Sequence, residues 1–128
     1  EHNRRRPLEL AELPGGLVPG SKICMVDDIE DGGAITIIFG ENTSRYEIFL
    51  QRKGVDIFAY ENVCPHARHP LDWVPGKFLD RSGKYLQCNS HGARFRIEDG
   101  YCLAGPCKGQ YLRPVETRQQ NGVVYSVS

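Results

Sequence analysis

Short apolar runs alternate with turn-forming residues along most of the chain. Each run is rich in β-branched and aromatic residues, which predicts a strand. These runs occupy residues 23–26, 34–39, 45–50, 55–60 and 123–127. No stretch of about twelve residues carries the apolar stripe of a helix, although residues 8–13 could form one turn. The pattern predicts an all-β fold, a sandwich or barrel of short antiparallel strands.

Two local features refine this prediction. The dipeptide Asn121-Gly122 separates two strand-like runs and predicts a tight β-hairpin. Between residues 62 and 113 the apolar runs become shorter, and the loops hold most of the cysteine, histidine, proline and glycine. Loops mounted on a rigid scaffold often carry function. We therefore expect one domain over residues 1–128, divided into parts with different roles.

The parts and their remaining strands follow from the same pattern. Residues 8–61 and 114–128 form a β base, residues 62–113 form a site subdomain, and residues 1–7 form a flexible tail. Within the site subdomain, strand pieces are predicted at 85–87 and 93–97, and a third at 112–115, where the subdomain meets the base.

Composition limits the class of protein. The 128 residues include 16 basic and 16 acidic side chains, so no global field favours nucleic acid or a membrane surface as a partner. The longest mainly apolar run, residues 34–39, is far shorter than a transmembrane helix. The N-terminal residues do not resemble a secretory signal. Five cysteines, an odd number, fit a disulfide scaffold poorly. A monomer in the cytoplasm is expected.

Two short motifs each place a cysteine beside a histidine. They are Cys64-Pro65-His66 and Cys88-Asn89-Ser90-His91, separated by residues 67–87. Ordinary buried cysteines beside surface histidines are one interpretation, and a structural zinc site with two thiolates and two imidazoles is another. A third is a [2Fe–2S] cluster in which two histidines replace two cysteines on one iron. That geometry requires each loop to reach both irons, which is what mixed Cys/His motifs provide.

The motifs C-P-H and C-N-S-H-G resemble the signature of the Rieske family, Cys-x-His followed by Cys-x-x-His-Gly. The resemblance continues through A-R-F-R-I-E-D-G to A-G-P-C, which is similar to the family's proline-bearing third loop. It implies that Cys64 and Cys88 bind the inner iron and that His66 and His91 bind the outer iron. The spacing between the two motifs is longer than usual in the family. We expect the extra length in an added turn within residues 72–84.

The resemblance also bears on the reduction potential. High-potential Rieske proteins carry a serine just after His-Gly and a tyrosine two residues later, whose hydroxyl groups bond to sulfur. Ala93 and Phe95 hold those positions here and offer no donor. The two positions that form a loop-bracing disulfide in those proteins are His69 and Ser90. Both differences predict the low end of the Rieske range.

These features predict a soluble one-electron carrier, not an enzyme. Electrons would come from a flavin or iron–sulfur reductase and pass to a terminal oxygenase. Rieske domains also begin the catalytic subunits of oxygenases, but those need a further iron site with two histidines, and no histidine follows His91 here. Alternatives are the small subunit of a nitrite-reductase-like or other multi-subunit oxidoreductase, and a zinc-binding regulatory module.

Other residues near the motifs receive structural expectations. Cys102 and Cys107 are expected to be core-filling thiols, with a local disulfide as the alternative. Cys24 is expected to be buried and inert. Further expectations concern the surroundings of the imidazoles: Pro70, Leu71 and Pro106 as an apolar docking collar, Trp73 as an anchor, and His69 at the rim.

Charge is distributed unevenly between the two parts. Residues 62–114 carry eight basic and four acidic side chains, which leaves eight basic and twelve acidic side chains elsewhere. The mildly positive half suggests a partner with an acidic docking face.

Overall fold

The computed structural model describes residues 8, 10, 13, 16, 18–40, 46–65, 70–72, 76–88 and 92–127. Nine strands lie within these residues. They are β1 (Lys22–Met25), β2 (Ala34–Phe39), β3 (Tyr46–Lys53), β4 (Asp56–Glu61), β5 (Tyr85–Gln87), β6 (Arg94–Arg96), β7 (Cys102–Ala104), β8 (Thr117–Gln120) and β9 (Val123–Ser126). A short 3₁₀ helix, Val26–Asp28, follows β1. The described residues include no helix long and apolar enough to cross a membrane.

The strands form three antiparallel sheets of three strands each, in the orders β1-β9-β8, β2-β3-β4 and β5-β6-β7. The first two sheets belong to the base and the third to the site subdomain. In the middle sheet, β3 pairs along its length with both neighbours, for example Phe49 with Thr36 on β2 and with Tyr60 on β4. This architecture confirms the predicted all-β fold of antiparallel strands.

The buried side chains form two core clusters, and strand β3 contributes to both. Ile48 and Leu50 pack into the cluster of the base. Phe49 lies between them in sequence but packs into the cluster of the site subdomain, where its ring stacks on Phe78 at a centroid distance of 4.0 Å. Successive side chains of a strand point to opposite faces. Strand β3 of the middle sheet therefore contributes one face to each of the two cores.

The predicted strands agree with the structure in most places. β2 and β5 have the predicted bounds, and the Asn121-Gly122 hairpin joins β8 to β9, with Asn121 at φ 53°. The predicted strand at 112–115 is wrong. Tyr60 and Pro114 form only an isolated bridge there, because proline has no N–H to extend a ladder. Strand β7 was not predicted.

Candidate metal centre

The two motif cysteines lie in the same buried core. Cys64 follows β4 and Cys88 follows β5 directly. Both side chains have 0 % exposure, and neither cysteine forms a disulfide. They belong to the apolar cluster of the site subdomain, together with Leu71 and Phe95. The fold thus places two sulfur donors that are far apart in sequence in the same core, where both are shielded from water.

The side chain of Asn62 closes the loop that carries Cys64. Asn62 is buried, and its Oδ1 accepts a hydrogen bond of 2.8 Å from the backbone N–H of Leu71. Its Nδ2 donates to Glu47 Oε2 at 2.7 Å and to Asp72 Oδ1 at 3.0 Å. One amide therefore joins both ends of the loop to strand β3. Asn62 was not predicted from the sequence. An asparagine directly after a strand and just before Cys-x-His indicates a residue that could anchor the ligand loop.

We predict that Asn62→Ala lowers the free energy of unfolding by about 2–3 kcal/mol. The substitution leaves the buried Leu71 N–H without its acceptor and removes the donor between two carboxylates. Chemical denaturation of the purified protein measures the change. Gln120→Ala, at an exposed position on β8, is the control and is expected to change stability by less than about 0.5 kcal/mol. Equal effects of the two substitutions would contradict the role of Asn62.

The second loop is closed by its own backbone. The Cys88 N–H donates to the Ala93 carbonyl oxygen at 2.8 Å, and Gly92 has a φ of 66°, a conformation that glycine adopts without strain. Ala93 and Phe95 are fully buried. Neither side chain has a hydrogen-bond donor, and both belong to the same core as Cys88.

The third loop, residues 104–107, packs against the second. A Cβ added at Gly105, which has a φ of 97°, would lie 2.7 Å from Ala93 Cα. Such a distance is well inside van der Waals contact, so only glycine fits. Cys107 extends the same loop into the core near Cys64. Burial raises the pKa of the Cys107 thiol, and interactions with Cys102 and with the more distant Cys64 raise it further.

The three cysteines outside the motifs are buried and free. The Sγ atoms of Cys102 and Cys107 are 3.2 Å apart, in contact but well beyond the length of a disulfide bond. Both fill the core of the site subdomain, as predicted. Cys24 lies in the core of the base, where burial, with a contribution from Asp28, raises its thiol pKa. A raised pKa keeps a thiol unreactive.

Several predicted residues lie outside the described residues, namely His66, His69, Trp73, Ser90 and His91. Among the residues that are described, no group of three or more histidine, cysteine or carboxylate side chains could hold a metal ion. The expectation for Leu71 is wrong. Its side chain has 0 % exposure, so it belongs to the core and not to a docking collar, whereas Pro70 and Pro106 are exposed.

Buried thiols that form no disulfide, in an apolar core, fit the sulfur ligands of an iron–sulfur cluster, which bind as thiolates. The family model of the Rieske [2Fe–2S] domain matches residues 21–121. The chain belongs to the Rieske family. Its cofactor is accordingly a [2Fe–2S] cluster, and the alternative of a zinc module is set aside. A comparison with curated proteins found no match.

Solved structures of Rieske ferredoxins share the fold. The ferredoxin of carbazole 1,9a-dioxygenase from Nocardioides aromaticivorans IC177 is 21% identical, with a TM-score of 0.63 over 87% of this chain and 100% of that chain. A complex of reduced oxygenase and oxidized ferredoxin in carbazole 1,9a-dioxygenase contains a chain that is 23% identical, with a TM-score of 0.64 over 83% and 90%. The Sphingomonas yanoikuyae B1 ferredoxin is 18% identical, with a TM-score of 0.59 over 85% and 98%.

Proposed function

We propose that this Rieske protein is a one-electron carrier that receives electrons from a flavin or iron–sulfur reductase and passes them to an oxygenase-type acceptor. The observation that carries the proposal is the complete burial of two thiols, Cys64 and Cys88, in one apolar core, with neither in a disulfide. Two of the structures similar to this chain are named as ferredoxins. One similar structure is a complex of a ferredoxin with its oxygenase, which supports an acceptor of that class.

We further propose which residues bind the cofactor. Cys64 and Cys88 hold the inner iron from the buried side, and His66 and His91 hold the outer iron. The bound cluster supplies a centre that gains and loses one electron. The protein's own contribution is to fix the two cysteine loops, through Asn62 on one side and the Cys88–Ala93 backbone hydrogen bond on the other.

The surroundings of Cys88 support a low reduction potential. With two thiolates and two neutral imidazoles the oxidised centre is uncharged, and reduction adds a negative charge. Ala93 and Phe95, in the same core as Cys88, have no hydrogen-bond donor in their side chains, and an apolar environment disfavours that added charge. None of the five cysteines, all within the described residues, forms a disulfide, which supports a reducing compartment such as the cytoplasm.

The experiment that tests the function is a redox titration of the purified protein. We expect two irons and two sulfides per chain, uptake of one electron, and a midpoint potential well below about +200 mV. Metal and sulfide analysis, visible spectroscopy and potentiometry measure these quantities. A colourless protein with stoichiometric zinc would contradict the [2Fe–2S] cofactor and the electron-carrier function. A midpoint above about +200 mV would contradict the low-potential class alone.

A further inference from the structure

An open, polar cavity of about 560 Å³ lies beside strands β5 and β6 in the site subdomain. Its lining includes three cationic side chains, Arg81, Lys84 and Arg94, around Tyr85 and Gln87. All three cationic residues are exposed. We call this cavity the basic pocket.

The one carboxylate that lines the basic pocket, Asp80, already has an ion-pair partner and a hydrogen-bond partner within the pocket. Its side chain is only 6% exposed and lies 3.5 Å from Arg94 Nε, and Ser82 Oγ donates to it at 2.7 Å. Burial by itself would raise the pKa of Asp80, but the hydrogen bonds from Ser82 and the Tyr85 backbone, with the Arg94 charge, lower it. Asp80 is therefore ionised and pairs with Arg94. Two positive charges remain uncompensated within the pocket.

Those two charges belong to Arg81 and Lys84. Neither side chain forms an ion pair with any residue in the described parts of the chain. Both lie in a tight turn that Asp80 and Ser82 hold, with the Lys84 N–H donating to Ser82 Oγ at 3.2 Å. The turn falls within residues 72–84, where this chain is longer than the Rieske pattern.

The basic pocket lies at the end of the sheet that carries the second motif. Gln87 and Arg94 are register partners on β5 and β6. Gln87 is followed directly by Cys88, and Arg94 is preceded by Ala93, whose carbonyl accepts the loop-closing hydrogen bond from Cys88. Two residues that line the pocket, Gln87 and Arg94, are thus adjacent in sequence to Cys88 and Ala93, the residues that close the second loop.

The opposite charge accumulates on the base. The base holds eleven acidic side chains, and four exposed ones are close together in sequence, at Asp27, Asp28, Glu30 and Asp31. The protein is therefore polarised, with the positive end at the site subdomain, although its formal net charge is zero. A polarised charge distribution orients a protein as it approaches a charged partner.

We propose that the basic pocket binds a cluster of carboxylates on the surface of a redox partner protein. The proposal rests on the proposed electron-carrier function. Arginine and lysine at the rim of such a contact pair with carboxylates, and a wet, polar cavity suits a transient complex. The arrangement places the partner beside the strand ends that flank the Cys88 loop.

The test compares the reduced protein with inorganic oxidants of opposite charge in stopped-flow experiments. Each reaction transfers one electron from the reduced protein, to ferricyanide giving ferrocyanide or to tris(phenanthroline)cobalt(III) giving the cobalt(II) complex. At an ionic strength of about 10 mM, we expect the double variant Arg81→Glu/Lys84→Glu to react about tenfold more slowly with the anion and faster with the cation. The effect on ferricyanide should vanish at about 0.5 M salt.

The matched control is Lys22→Glu/Arg118→Glu. It makes the same change in net charge on exposed positions of the base, on β1 and β8, and is expected to change the ferricyanide rate by less than about twofold. Equal effects of the two double variants would show that net charge, not the pocket, steers the oxidant, and would overturn the proposal. Circular dichroism and the visible spectrum check that both variants fold and hold the cofactor.

A third oxidant separates a protein partner from a small anion. Cytochrome c presents a basic face, so we expect the wild-type protein to reduce it slowly and the pocket variant to reduce it about tenfold faster at low salt. A ferricyanide effect without a cytochrome c effect would mean that the pocket binds small anions only, which overturns protein docking. A protein that takes up no electron overturns the carrier function as well, whereas normal reduction without steering overturns only the basic pocket.

Discussion

The Cys88→Ala protein is expected to be colourless and to retain less than about a tenth of the wild-type iron and sulfide, because a [2Fe–2S] cluster needs all four of its ligands. Cys88 has 0 % exposure, so water has no easy access to replace the lost sulfur. Ala93 and Phe95 offer no donor, and the two other thiols of that core, Cys102 and Cys107, already contact each other at 3.2 Å. Iron and sulfide assays on freshly purified protein measure the result.

Cys24→Ala is the matched control for this prediction. It also removes one buried, free sulfur, but from the core of the base. Both substitutions leave a small cavity that costs about 1–2 kcal/mol of stability, whereas only the first removes a proposed ligand. We expect Cys24→Ala to keep its full iron and sulfide content. Loss of the cofactor from both variants would mean that core packing, not ligation, accounts for the effect.

The second large effect is expected from Gly105→Ala, which should lower the free energy of unfolding by at least about 3 kcal/mol. The added Cβ would lie 2.7 Å from Ala93 Cα, and a backbone atom inside a packed core cannot move aside cheaply. The positive φ of 97° adds strain of about 1–2 kcal/mol. The variant should also release iron to a chelator faster, since the second and third loops no longer close on each other.

Gly109→Ala separates these two contributions. Gly109 has a similar φ of 91°, but an added Cβ there would meet nothing within 4 Å. We expect this control to lose only the conformational part, about 1–2 kcal/mol. Denaturant unfolding and the rate of iron release are measured on both variants. If they are equally destabilised, the contact between the loops does not brace the site.

The strands that were predicted correctly are those whose signal is local. Residues 34–39 form a continuous apolar run between glycine-rich turns, and Asn121-Gly122 favours a hairpin by its own backbone preferences. Strand β7 was not predicted because Cys102–Ala104 is short and has no alternating pattern of apolar and polar residues. It exists because β6 pairs with it, with Phe95 opposite Cys102, which is a contact that no local pattern records.

The same distinction applies to the candidate site. The motif spacing predicts Cys64 and Cys88 as ligands, because ligands of one loop are close in sequence, and the structure places both in one core. The bonds from Asn62 to Glu47 and Asp72 depend on how two strands and a loop meet. The basic pocket is also invisible in sequence, since Arg81 and Arg94 come together only through the pairing of β5 with β6.

The dual role of β3 has a consequence for how the molecule can come apart. Phe49 and Tyr60 belong to the base by sequence but supply aromatic rings to the core that surrounds Cys64 and Cys88. Removing residues 62–113 would expose these two rings to water. Disrupting the middle sheet, β2-β3-β4, would expose both core clusters at once. We therefore expect that the site subdomain does not fold without the base. The two parts should unfold together, in a single cooperative transition.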